Sequence, residues 1–301
     1  MVCIVVLFCV FFMYCSSCEG VKNLPENVKF PAVFAFGDSL ADTGNNNPLK
    51  TPIKSNFPPY GKDLNGGLPT GRFSNGKIIP DLIGTEGLGV KELIPAYNDP
   101  NLNSFDMKTG VSFASGGSGY DPLTPRITLA IPLSTQLELF KDYIQELKGI
   151  VGEEEAQQTL NHSIYLLISG NNDVANYFNV GVRRIQYDIF SYADLLVTRA
   201  SSIINEMYRL GARKIAVFSV IPVGCLPAER TVLGGFTRKC AEKINQGVKI
   251  INAKLYSETN SLTQKLPQSR VVFIDIYKPL LDAMENPQRY GNLSYTSYIA
   301  S

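Results

Sequence analysis

The strongest constraint on this chain is a repeated alternation of two hydrophobic periods. Five short apolar, β-branched runs recur along it: Ala32–Phe36, Val111–Ala114, Ile164–Ile168, Lys214–Val220 and Val271–Ile276, each followed by Gly, Asn or Pro. Runs this short and this apolar read as strands buried on both faces. Between them the period lengthens to that of a helix. Leu133, Leu137, Phe140, Ile144 and Leu147 fall on one face, and Thr135 with Glu138 fits a capping box at its start. A second stripe, Leu196, Ile203, Met207 and Leu210, ends at Gly211; a third, Ile244, Val248, Ile251, Leu255, Leu262 and Leu266, is broken by Pro267. Strands alternating with helices predict one domain, a three-layer α/β/α sandwich whose central parallel sheet is covered on both faces.

A chain of 301 residues, 45% of them hydrophobic, can bury the core of such a domain. Its 28 Lys+Arg against 27 Asp+Glu give a net charge of +1, with no basic block to serve as a footprint for nucleic acid or an anionic membrane. Small neutral or amphipathic substrates suit it better. The stretch from Asn45 to Asn75, rich in Pro, Gly and Asn, reads as a long surface loop that shapes the entrance to a site.

The N-terminus carries an address. Val2–Tyr14 is almost wholly apolar and is followed by the small residues Cys15-Ser16-Ser17-Cys18. It is too short for a comfortable membrane span and has the length of a signal-peptide core, so residues 1–20 read as a signal peptide cleaved near Cys18–Gly20. The n-region lacks Lys or Arg, which leaves a buried helix as the alternative. Cleavage predicts a secreted protein with no integral membrane span. It would also remove Cys3, Cys9, Cys15 and Cys18 and leave Cys225 and Cys240, an even pair that in an oxidising compartment suggests a disulfide; two separate buried thiols are the alternative. Asn161-His162-Ser163 and Asn292-Leu293-Ser294 are glycosylation sequons at Asn161 and Asn292.

The chemistry gathers after the first strand. Gly37-Asp38-Ser39-Leu40-Ala41-Asp42-Thr43-Gly44-Asn45-Asn46 places a serine just beyond Ala32–Phe36, at the carboxyl edge where open parallel sheets bind ligands. This block resembles the nucleophile motif of the plant GDSL lipase/esterase family, of the SGNH hydrolase superfamily, and further family motifs follow in order. Gly110 to Gly119 resembles the second block, with Ser112 where the family usually has Asn. Ile168-Ser169-Gly170-Asn171-Asn172-Asp173 resembles the third, and Gly211 to Lys214 with Pro222 to Pro227 matches a further stretch.

The resemblance covers roughly Phe30 to Tyr290 and implies a flavodoxin-like fold over residues 30–291. It also implies an ester hydrolase acting through an acyl-serine on small ester or lipid substrates, without metal or organic cofactor. Ser39 becomes the nucleophile. Gly117, with Gly116 as the alternative, donates a backbone N–H to the oxyanion, and Asn172 donates a side-chain N–H. A serine hydroxyl needs a base, which the family supplies as a histidine in a C-terminal Asp-x-x-His motif.

No such motif occurs here, so the family's catalytic Asp and His are absent. The single histidine, His162, precedes the run Ile164–Ile168, which puts it about 17 Å away at the opposite edge of the sheet. After Gly291 the pattern gives way to a divergent tail, residues 292–301. We read this as a truncated product that has also lost a final helix covering one sheet face. The second function it allows is a non-catalytic acyl-binding or decoy protein. A nucleotide-binding module is a third reading, opposed by the lack of a phosphate-cradling glycine loop.

Overall fold

The computed structural model describes residues 29–290. Residues 1–20, read above as a signal peptide, Asn292 and the 292–301 tail lie outside them. Four strands form one parallel sheet in the order β1 (Val33–Gly37), β2 (Ile164–Ile168), β3 (Lys214–Phe218) and β4 (Arg270–Ile274). Its register pairs Val33 with Ile164, Ile164 with Lys214, and Lys214 with Arg270.

The expected strand at Val111–Ala114 lies along the free side of β1 but builds no regular ladder. Phe113 N–H donates to the Ala35 carbonyl at 2.8 Å and Ser115 N–H to the Gly37 carbonyl at 3.0 Å. Its other side pairs with the 95–97 backbone, through Ser112 N–H to the Pro95 carbonyl and Tyr97 N–H to the Ser112 carbonyl at 2.9 Å each, and with Asn45, whose Nδ2 donates to the Ser112 and Ala114 carbonyls at 2.8 Å each. The ladder with β1 stops at an isolated bridge because the Gly37 N–H, which would continue it, donates to Gln136 Oε1 at 2.8 Å. The run Lys214–Val220 is shortened for a similar reason. Asn252 takes both the N–H and the carbonyl of Val220, and the strand stops at Phe218.

Eleven α-helices lie among the described residues: α1 (Ile79–Leu82), α2 (Ser104–Thr109), α3 (Leu123–Thr128), α4 (Leu133–Val151), α5 (Glu153–His162), α6 (Asn171–Asn179), α7 (Val182–Gln186), α8 (Ile189–Arg209), α9 (Pro227–Leu233), α10 (Glu242–Lys265) and α11 (Tyr277–Glu285). The three apolar stripes correspond to α4, α8 and α10, and their residues are buried or packed against the main core. The capping box at Thr135 is absent: α4 begins two residues earlier, behind Pro132, whose fixed φ of −61° suits a helix entrance without a side-chain cap.

Crossover handedness decides which face these helices cover. A parallel crossover is right-handed, so steps in one direction across the sheet place their helices on one face. The chain steps from β1 to the 111–115 edge, and then back past β1 to β2, β3 and β4. Phe34, Phe36, Tyr165, Leu167, Ile215 and Val217 therefore meet α4, α8 and α10 in one core. Val33, Ala35, Leu166 and Ile168 face the other way, onto Ile94, Ile79 and Ile83 from the first connection. This is a three-layer α/β/α fold whose second helical layer covers the β1 side. Over β4, Val272 is 36% exposed and Ile274 only half-buried, so the expected cover on both faces is incomplete among the described residues.

The main core centres on Phe140, which is fully buried with the rings of Phe34, Phe36, Phe113, Tyr143 and Tyr165 at centroid distances of 5.4 to 6.0 Å. Phe140→Ala is expected to lower unfolding stability by about 3–5 kcal/mol in urea denaturation. Val272→Thr on the open face should change it by less than about 0.5 kcal/mol. Similar losses at the two positions would contradict this account of the core.

Candidate functional site

Because the strand order reverses at β1, the carboxyl ends of β1 and β2 open a crevice, and the loops that follow them meet there. Gly37 ends β1 with φ +131°, and a Cβ on it would lie 1.7 Å from the Ile168 carbonyl oxygen. Only glycine lets the β1 loop turn this close to β2. Asp38, Ser39 and Leu40 follow in a turn in which the Ala41 and Asp42 N–H groups return to the Asp38 carbonyl at 3.0 Å each.

Ser39 is partly exposed, and among the described residues neither its hydroxyl nor its backbone N–H has a hydrogen-bond partner. Its neighbours are fixed. The buried Asp38 carboxylate accepts from Leu40 N–H at 3.1 Å and from Asn171 Nδ2 at 2.9 Å, while Asn171 Oδ1 accepts from Ile221 N–H at 3.0 Å. One chain of bonds thus ties together the loops after β1, β2 and β3. Burial pushes the Asp38 carboxyl up to about 6 against the pull of these donors.

The Gly117 loop is tied to the same turn. Asp42 accepts from Gly44 and Asn45 N–H through one oxygen and from Gly116 N–H through the other, at 2.7 to 2.8 Å. Asn46 Nδ2 donates to the Gly116 carbonyl at 2.8 Å. A Cβ on Gly116 would meet the Phe73 ring at 2.5 Å, so the long 45–75 loop packs directly against this segment. That loop is itself anchored by the buried Arg72, whose Nε and Nη2 donate to the Asp81 carboxylate at 2.8 and 2.9 Å. Ser112, in place of the family's Asn, is satisfied by donating to the Ala41 carbonyl at 2.7 Å.

Gly117 is buried with φ +90°, its carbonyl accepts from Thr128 Oγ1 at 2.8 Å, and its N–H has no acceptor among the described residues. The Gly116 N–H is spent on Asp42, which removes it as the alternative donor. Asn172 opens α6 beside Asn171, and its Nδ2 donates to the Ser118 carbonyl at 2.8 Å. An amide nitrogen carries two hydrogens, so one remains for a ligand.

The bond from Asn172 to Ser118 joins the loops after β1's neighbour and β2, while Asp38 and Asn171 join those after β1 and β2. Three segments carrying Ser39, Gly117 and Asn172 are therefore held together.

Sequence reasoning missed several of the ties. Gln136 is the largest omission: fully buried, it accepts from Gly37 N–H at 2.8 Å and donates through Nε2 to the Gly37 carbonyl at 2.9 Å and to the Ser118 hydroxyl at 3.3 Å. Its signal was a polar residue within the apolar stripe of α4, one position before Leu137. The free Ser39 N–H is a further donor that no motif announces. Asp173, the last residue of the third block, points away from the opening and accepts from Tyr120 N–H at 2.7 Å and Thr124 Oγ1 at 2.6 Å.

His162 lies at the end of α5, exposed at the amino edge of the sheet, with Nδ1 against the Gln158 carbonyl at 2.8 Å. It is not brought to Ser39. Asn161 occupies the final turn of α5, and the Ser163 hydroxyl of its sequon is turned inward onto the Thr159 carbonyl. Cys225 and Cys240 form a disulfide with Cα atoms 4.2 Å apart, closing the α9 loop. Among the described residues no helix is long and apolar enough to cross a membrane, and no group of His, Cys, Asp or Glu could hold a metal ion.

The fold is of the α/β/α class, and at the reversal of its strand order it presents an unengaged serine on a loop tied to others that carry free amide donors. The comparisons narrow it. A family description, GDSL-like lipase/acylhydrolase, matches residues 33–295. The chain is 48% identical over 273 residues to the GDSL esterase/lipase At5g42170 of Arabidopsis thaliana, covering 91% of this chain and 73% of the relative. It is 46% identical over 269 residues to GDSL esterase/lipase EXL3 of the same plant, with 89% and 74% covered. With At3g14820, a third GDSL esterase/lipase from Arabidopsis, it shares 46% over 281 residues, 93% and 78% covered. The chain belongs to the GDSL lipase/acylhydrolase family of hydrolases acting on ester bonds.

The role of Asp173 as a buried tie can be read from pH. Burial raises its carboxyl from an ordinary value near 3.8 to about 7. Because the folded value lies above the unfolded one, its stabilisation is complete below the unfolded value and is lost as pH rises through the folded one. The stability difference between the wild type and Asp173→Asn, about 1–3 kcal/mol at pH 4 for a broken buried network, should therefore shrink between pH 4 and pH 7.5. Urea denaturation at the two pH values measures it, and a difference that grows with pH would refute the assignment.

Proposed function

We propose that the chain is a secreted carboxylic-ester hydrolase working through an acyl-serine at Ser39. The observation that carries this reading is the free Ser39 hydroxyl at the carboxyl end of β1, with the free N–H groups of Ser39 and Gly117 and the remaining amide hydrogen of Asn172 on loops held to the same turn. Ser39 Oγ attacks the acyl carbonyl and passes its proton to water, which returns one to the departing alkoxide. The oxyanion is held by Gly117 N–H, Asn172 Nδ2 and Ser39 N–H, donors worth roughly 3–4 kcal/mol of barrier each. The alcohol leaves with a proton, and water then cleaves the acyl-serine to a carboxylic acid and restores the hydroxyl. Lipid and acetyl esters are the substrate class, and no metal or organic cofactor takes part. Secretion is supported by the apolar run Val2–Tyr14 and by the Cys225–Cys240 disulfide, a bond that persists in oxidising compartments.

The place of His162 favours a second reading. A hydroxyl at its ordinary pKa reacts poorly without a base, and the only histidine of the chain stands at the far edge of the sheet. A protein with this arrangement can hold an acyl ester between Ser39 and Asn172 without turning it over.

Hydrolysis of p-nitrophenyl acetate by the purified chain, with and without added imidazole as a diffusible base, separates the two. Above the protein-free rate, which imidazole itself raises by attacking this ester, the esterase reading expects activity that Ser39→Ala abolishes, that Asn172→Ala lowers by about 10²–10³-fold in kcat, and that imidazole raises further only while Ser39 is present. A folded chain that cleaves no ester under either condition leaves the acyl-binding reading.

A further inference from the structure

Two helices on the main-core face are longer than the sheet they cover. α8 has 21 residues and α10 has 24, about 31 and 36 Å, against strands of five residues that span about 17 Å. Each helix leads down into the next strand at the amino edge, so the surplus of both stands above the carboxyl edge, the side that carries Ser39. Their raised ends and the segments that lead into them form a ledge. Asn179 Nδ2 donates to the buried Glu229 carboxylate at 2.7 Å and joins the end of α6 to α9, while the disulfide closes the loop between α9 and α10.

The top of this ledge is apolar in a way the fold does not require. Ile185 is 89% exposed and Val232 72%, Phe236 stands fully in solvent, and Phe190 and Leu233 are about half exposed. Beside Ile185 and Phe190 runs a groove of about 580 Å³ that Lys243 also lines. Around it cations outnumber acids. The three acids are all engaged: Asp188 caps α8 through Ser191 N–H, Glu229 is buried on Asn179, and Glu242 pairs with Lys249. Arg238, Lys239 and Lys243 are exposed and have no ion-pair partner among the described residues. The chain as a whole lacks a basic block, yet the fold gathers one around apolar side chains.

We infer that this ledge docks the protein on an anionic phospholipid surface, with Ile185, Val232 and Phe236 entering the headgroup boundary and Arg238, Lys239 and Lys243 lying against lipid phosphates. Charge complementarity selects this occupant. A second copy of the chain would bring the same cations together across a symmetric contact, whereas an anionic surface satisfies them while the apolar groups leave water. The inference deepens the esterase reading by making the substrate a lipid ester held in a surface, presented to the carboxyl edge where Ser39 lies. Binding itself does not depend on Ser39.

The test is flotation of the purified chain with vesicles of phosphatidylcholine alone and of phosphatidylcholine mixed with phosphatidylglycerol. The wild type and Ser39→Ala are expected to float equally with the anionic vesicles, and less with phosphatidylcholine alone or in high salt. Ile185→Glu combined with Phe236→Glu should lower the bound fraction by at least about tenfold, since two apolar side chains would no longer enter the surface. Lys239→Gln with Lys243→Gln should erase the preference for phosphatidylglycerol. Both pairs are solvent-facing, and unchanged circular dichroism checks that the variants fold. A wild type that does not float, or variants that float as it does, overturns the inference. So does a wild type that sediments as a dimer, is made monomeric by the Glu substitutions and ignores vesicles. Because Ser39→Ala retains binding, failure here is separate from failure of the esterase reading.

Discussion

The reversal of strand order at β1 is the constraint on which the rest of this structure depends. A right-handed crossover fixes the face on which each connection lies, so stepping one way to the 111–115 edge and the other way to β2 sends the helical layers to opposite faces. The same reversal sends the connections after β1 and β2 to opposite faces, while the first residues after the two strands stay tied together beside Ser39. It also explains the uneven cover of the sheet. The steps β2 to β3 and β3 to β4 run in one direction and load one face with α8 and α10, while the other face receives only the connection that holds α1.

Opening a crevice leaves loops with backbone groups in need of partners, and here buried polar side chains supply them. Asp42 accepts three N–H groups, Asn45 and Asn46 donate to carbonyls of the 112–116 segment, and Gln136 brackets Gly37 through both its N–H and its carbonyl. Each bond made in a low-dielectric setting holds its loop more firmly than it would in water, and each would be costly to leave unmade. The Gly117 N–H and the Ser39 N–H are conspicuous against this background because nearly every neighbouring group is paired. Preorganised donors that cost nothing to align are what an oxyanion requires.

How much of this was legible follows from what each signal measures. Hydrophobic period located the four ladder strands and the faces of α4, α8 and α10, because burial of apolar area is what sets that period. It misread the edge at Val111–Ala114, whose ladder along β1 is cut short where Gln136, a residue 25 positions later than Val111, takes the Gly37 N–H. The capping box at Thr135 failed because Pro132 had already set the entrance to α4. Motif resemblance proposed Ser39, Gly117 and Asn172, whose loops the structure ties together, but it was silent on Gln136 and on Asn171, which tie loops that are distant in sequence. Long-range hydrogen bonding leaves at most one trace in a single sequence, a polar residue where the apolar stripe demands a core residue.

The position of His162 shows how topology can exclude what composition permits. A single histidine and a single candidate nucleophile invite pairing, but the two precede and follow parallel strands that run in the same direction. Register aligns Gly37 with Ile168 and Val33 with Ile164, so the start of β2 lies level with the start of β1 and a full strand length below Ser39. No rotamer spans that distance. The polar network that fixes the Ser39 turn is equally firm about its floor: Asp38 is held by Leu40 and Asn171 and Asp42 by three N–H groups, so neither carboxylate is free to turn toward the Ser39 hydroxyl. Any base for Ser39 must therefore approach from the open side of the crevice, the side on which the raised ends of α8 and α10 also stand.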